Sequence, residues 1–156
     1  MIVTLTDFGD SEYLGAMKGA IYTANPNAKI TDFFNNVAPY SVREGAWLLY
    51  KNYKLFPRGS IFLCVVDPGV GGERRCIAAK TKNYYFVGPD NGLMYKAIVD
   101  DDIVEVVALS SEGASKTFHG RDVFAKAAAR LEKGESISRL GHKTYIRKNL
   151  DFYLDG

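Results

Sequence analysis

The segment that most constrains the fold is Ile61-Phe62-Leu63-Cys64-Val65-Val66-Asp67-Pro68-Gly69-Val70-Gly71-Gly72-Glu73-Arg74-Arg75. Its apolar first half shows no polar alternation, which is how a strand reads when helices cover a parallel sheet on both faces. The glycines that follow cannot continue a strand or a helix without cost. Asp67 therefore stands at the carboxyl end of a central strand. That edge is where open α/β sheets gather their ligand sites, because the loops leaving it converge on one crevice. Taken alone, Asp-Pro-Gly also fits an ordinary tight turn capped by the aspartate.

Two further stretches have the same character. Thr4-Leu5-Thr6-Asp7-Phe8-Gly9 ends the apolar opening segment in a carboxylate and a glycine, although Asp7 alone also fits a helix N-terminal charge. Thr117-Phe118-His119-Gly120-Arg121-Asp122 leads into a helical pattern. His119 is one of two histidines, and alone it reads more often as a structural residue than as a catalyst. Together the three loops place Asp, Arg and His at strand ends or helix starts, as a site assembled from distant parts of the chain would.

The intervening pattern alternates strand and helix. Ile2 to Leu5 predicts a first strand and Ser11 to Ala24 a helix, with Leu14, Met17 and Ile21 at helical spacing. Lys29 to Phe34 reads as a second strand. The next helix starts at Ser41, where Ser41-Val42-Arg43-Glu44 has the form of a capping box, and Trp47, Tyr50 and Tyr53 are expected in its buried stripe. After the central strand, Cys76 to Lys80 and Tyr84 to Val87 predict two strands joined by the turn Thr81-Lys82-Asn83. Ile103 to Leu109 predicts one more strand. A last helix, about Arg121 to Lys133, turns Val123, Phe124, Ala127 and Leu131 inward and stops at Gly134. This order predicts an α/β fold, a Rossmann-like three-layer domain with a mostly parallel central sheet.

The length of 156 residues and 47% hydrophobic content suit one domain with a substantial core. A formal net charge of +2, with Lys and Arg scattered, gives no sign of a nucleic-acid partner. Cys64 and Cys76 read as buried small hydrophobes in a reducing compartment rather than as a disulfide framework. Met1 leads straight into a strand, and no apolar run approaches the roughly 20 residues that span a bilayer. The expectation is a soluble cytoplasmic protein without a membrane partner.

The motifs TLTDFG (4–9), MKG (17–19), VVDPGVGGERR (65–75), PDNG (89–92) and TFHGRDVFA (117–125) resemble those of the S-adenosyl-L-methionine (SAM) hydroxide adenosyltransferases. These are relatives of the fluorinase and chlorinase that act on the same substrate. The resemblance runs in order from residue 2 to about 134. It implies a SAM hydrolase that releases adenosine and L-methionine with no added cofactor and no metal, and a homo-oligomer, a trimer in the family. Asp67, Arg74 and His119 match the family's water-handling trio, Arg74 by its position after the aspartate, with Arg75 left open. Asp7 matches the carboxylate that accepts from the ribose hydroxyls. Phe8, Tyr40, Thr117 and Phe118 match substrate-lining positions. Asn35 departs from the pattern, since histidine is common in that second-strand loop.

The division implied is a catalytic-type N-terminal domain over 1–134 and a linker-like tail over 135–156. The tail shows no core element, and the family's smaller β-rich domain, which covers the adenine, is missing from the sequence. The alternative is a non-catalytic nucleoside-binding or SAM-binding module. A third reading assembles Asp7, Asp67, Asp90 and His119 into a hard-cation site, but no spacing supports it and Pro89-Asp90-Asn91-Gly92 is also a good turn. No phosphate-binding glycine loop appears.

Overall fold

A computed structural model of the chain describes residues 1–69, 74–114 and 118–150. Strands β1 (Ile2–Thr6) and β3 (Ile61–Val65) are buried at every position, as strands covered on both faces are; β3 is apolar throughout, and in β1 the buried Thr4 hydroxyl donates to Asp32 Oδ1 at 2.8 Å. They pair in parallel, Ile2 opposite Ile61. Outside them lie β2 (Ile30–Phe34) on β1 and β5 (Tyr85–Pro89) on β3, both parallel. Strand β4 (Cys76–Thr81) returns antiparallel on β5 through the expected hairpin. Two antiparallel strands then extend the sheet, β6 (Ile103–Leu109) and β7 (Gly141–Thr144). The order is β2-β1-β3-β5-β4-β6-β7. The α/β expectation holds, with a parallel centre and an antiparallel limb.

Successive residues of each central strand face opposite sides, and two cores result. Ile61, Leu63 and Val65 join Met17 and Ile21 of α1 (Glu12–Ala24), Phe124, and Ala125, Ala128 and Leu131 of α4 (Ala125–Glu132). Phe62, Cys64 and Val66 meet Leu49 of α2 (Val42–Asn52) and Ala97 and Ile98 of α3 (Tyr95–Asp100). This makes the three layers. Among the described residues no helix is long and apolar enough to cross a membrane.

Several expectations are corrected. Trp47 is not in the buried stripe of α2 but 47% exposed, with the Lys51 ammonium over its ring, because the helix turns Ala46, Leu49 and the following Tyr53 to the core instead. The Ser41 hydroxyl accepts from Glu44 N–H as a capping box requires, but the Glu44 carboxylate reaches back to Ala38 N–H rather than to Ser41. Residues after 134 do contribute to the core: Ile137 and Leu140 are buried, and β7 pairs along β6. The short helix α3 was not expected.

Candidate active site

The loops leaving the carboxyl ends of β1 and β3 meet those of β2 and of the segment before α4. At the last residue of β1, Thr6 is fully buried, and its hydroxyl donates to Asn35 Oδ1 at 2.9 Å while accepting from Phe8 N–H at 3.2 Å. Gly9, at φ +60°, donates its N–H to the Asn35 carbonyl at 2.7 Å. Asn35 is thus a structural tie between the first two loops. The tie sets Asp7 and Phe8 against the next loop, where Tyr40 N–H donates to Asp7 Oδ2 at 2.7 Å. Tyr40 holds φ at +64°, a left-handed conformation costly for a bulky residue. Strain of that kind persists where surrounding contacts fix it, and it concentrates at functional sites. Burial, opposed by the Tyr40 hydrogen bond, raises the pKa of Asp7 from its ordinary value.

Asp67 follows β3 and is buried. Its carboxylate is held by a two-pronged ion pair: Arg74 Nε donates to Oδ1 at 2.9 Å and Arg74 Nη2 donates to Oδ2. The same Nη2 lies 3.0 Å from His119 Nδ1, and Nη1 donates to Cys76 Sγ at 3.2 Å. Burial alone would lower the Arg74 pKa, but hydrogen bonding and charge from Asp67 outweigh it and hold the guanidinium charged. Burial, reinforced by the Arg74 charge, lowers the His119 pKa. The three residues are joined as one network. Arg75 goes elsewhere, donating to Asp90 Oδ2 at 2.8 Å and Thr144 Oγ1 at 2.6 Å.

A cleft of about 300 Å³ opens along these loops, lined by Asp7, Phe8, Tyr13, Tyr40, Asp67 and Phe118 among others. Phe8, Tyr13 and Phe118 form a continuous aromatic wall, with centroids 6.1 and 5.5 Å apart. Gly120 packs closely beside it, where a Cβ would lie 3.2 Å from the Phe8 ring. The backbone after His119 widens into a π turn, Gly120–Phe124, before α4, a distortion that recurs at functional sites. Arg121 also lines the cleft, its guanidinium 4.5 Å from the Phe118 ring centre. Thr117 lies outside the described residues.

The structure therefore brings together Asp7, Phe8, Tyr40, Asp67, Arg74, Phe118 and His119. Asp90 is apart from them: it accepts from Arg75 and from the backbone N–H groups of Arg147 and Lys148, tying the tail to β5. Among the described residues no group of three His, Cys, Asp or Glu stands together as a metal site. Tyr13 and Cys76 were missed by sequence reasoning. The only signal for Cys76 was its place directly after the arginine pair, and an apolar reading of a strand's first residue hides it.

Fold and site together define a three-layer α/β protein with a cleft at the carboxyl edge of its parallel strands. The chain belongs to the SAM hydroxide adenosyltransferase N-terminal domain family, whose sequence model matches residues 2–141. It is 42% identical over 139 residues to the (R)-S-adenosyl-L-methionine hydrolase of Methanocaldococcus jannaschii, covering 83% of this chain and 52% of that protein. A fluorinase of Nocardia brasiliensis is 24% identical over 172 residues, covering 92% of this chain and 57% of the fluorinase. The crystal structure of an uncharacterized conserved protein from Thermotoga maritima superimposes with a TM-score of 0.92 at 38% identity, covering 97% of this chain and 61% of that one. The chain spans about half the length of the curated relatives it matches.

Proposed function

We propose that this chain is the catalytic N-terminal part of a SAM hydrolase that forms adenosine and L-methionine. The observation that carries the reading is the joined Asp67, Arg74 and His119 network opening on the cleft that also holds Asp7. SAM presents a sulfonium leaving group on ribose C5′. The difficulty is therefore to desolvate and aim a poor nucleophile, water, opposite sulfur. A carboxylate braced by a guanidinium offers a fixed acceptor for one water and its proton. Asp7, with Tyr40 beside it, takes the ribose diol, and the aromatic wall of Phe8, Tyr13 and Phe118 suits the apolar and cationic sulfonium arm. Thr117 is proposed to complete this lining.

No metal or further cofactor enters this scheme. Family resemblance also supports a cytoplasmic homo-oligomer, in the form of a trimer. The test is turnover in oxygen-18 water: the label is expected in the 5′-hydroxyl of adenosine, with no 5′-halo product in high chloride and no effect of chelator. Binding without any product would favour the non-catalytic module, and activity lost to chelator and restored by a divalent cation would favour a metal-dependent hydrolase.

A further inference from the structure

Of Asp67, Arg74 and His119, only Asp67 lines the cleft. His119 is 6% exposed and lies behind, its ring edge-on to Phe124. The direction of its hydrogen bond is fixed by chemistry. Arginine has donors only, so the 3.0 Å contact from Arg74 Nη2 needs a lone pair on His119 Nδ1. A neutral ring then carries its proton on Nε2. Burial, then the nearby Arg74 charge, favours that neutral ring. On the other arm of the fork, Arg74 Nη1 donates to the Cys76 sulfur, where burial pushes the thiol pKa up and keeps it protonated. The guanidinium carbon also stands 5.7 Å from the centre of the Phe124 ring. Asp67, His119, Cys76 and Phe124 thus surround one cation.

We propose that His119 and Cys76 are positioning residues that fix Arg74, and through it the Asp67 carboxylate, and that Asp67 is the group that takes the proton of the attacking water. The inference deepens the proposed function and rests on it. In the step, the water oxygen bonds to C5′ and the C5′–S bond breaks with its electron pair going to sulfur. One water proton passes to a carboxylate oxygen of Asp67 and then to solvent. His119 and Cys76 exchange no proton with the substrate.

The experiment compares variants of the full-length protein on SAM. His119→Asn keeps a side-chain oxygen for Nη2 to bond but cannot carry a proton. It is expected to retain kcat within about tenfold of the parent at unchanged KM, whereas His119→Ala falls further. Cys76→Ala should lower kcat alone, and Cys76→Ser, which keeps an acceptor for Arg74 Nη1, should recover most of that loss. Asp67→Asn should lower kcat by about 10² to 10⁴, the range usual for a general acid–base group. His119→Asn as inactive as Asp67→Asn would return the base role to His119, and Cys76→Ala with parental kcat would remove Cys76 from the clamp.

Long-range nitrogen-15 spectra give a readout independent of turnover, simple to assign with two histidines in the sequence. A neutral His119 ring protonated on Nε2 is expected. A ring protonated on Nδ1 overturns the clamp whether or not adenosine forms, while a parent protein that makes no adenosine overturns the functional reading and leaves the spectrum to decide the clamp.

Discussion

Burial raises the pKa of the Asp7 carboxyl, so the charge that suits a ribose diol works against folding. The sign follows from proton linkage. With its pKa raised, the folded state holds this proton more tightly than the unfolded chain. Stability from this group is therefore full at low pH and declines as pH rises through the raised value. Asp7→Asn removes the buried charge and keeps an oxygen for Tyr40 N–H. The variant is expected to melt higher than the parent at neutral pH, with the advantage vanishing toward pH 3, in calorimetric scans across pH. It should also bind SAM more weakly, because each hydrogen bond to a charged group contributes about 1.5 to 3 kcal/mol. A variant that melts lower and binds equally well would remove Asp7 from the substrate site.

The antiparallel edge of the sheet depends on a close approach at Gly141, where a Cβ would stand 1.8 Å from the Ala108 carbonyl oxygen. Backbone cannot yield there without opening the β6 and β7 pairing. Gly141→Ala should cost on the order of 1–3 kcal/mol, as overpacking does, with faster hydrogen exchange along Val106 to Leu109. Unchanged exchange would mean that β7 contributes little. This edge was also the least legible part of the sequence. Leu140-Gly141-His142-Lys143 alternates weakly and leaves His142 and Lys143 exposed, so nothing in it demands a sheet partner. The parallel centre was legible because burial on both faces leaves β3 an unbroken apolar run, and the first four residues of β1 are interrupted only by Thr4. Trp47 was misread because helical spacing gives a stripe but not its limit, and Ala46 was small enough to be overlooked as the buried choice. Within the candidate site, Asp7, Asp67 and His119 stood out by loop chemistry at strand ends and a helix start, whereas Arg74 was separated from Arg75 only by the family resemblance. Cys76 could not stand out, since its role exists only once Arg74 has folded over it.

On the scale of the molecule, the cleft is open on one side, with Tyr40 68% exposed at its rim. We propose that in the whole protein this side is covered by a further domain, in keeping with the greater length of the relatives. A protein limited to these 156 residues is then expected to fold but to bind SAM weakly in titration calorimetry, because the desolvating surface is incomplete. Tight stoichiometric binding would show that the cleft suffices alone. The strand order carries a kinetic consequence as well. The β4 and β5 hairpin joins near neighbours, Cys76 with Pro89, while β1 must find β3 across most of the first half of the chain, Ile2 with Ile61. Loop closure makes such distant parallel pairing slow relative to local pairing. In pulse-labelled exchange during refolding, amides of β4 and β5 should be protected before those of β1. The arginine then waits on its hairpin, already close in sequence to Asp67, and Asp7 arrives late, so that a half-folded chain holds a braced carboxylate with no place yet for a sugar.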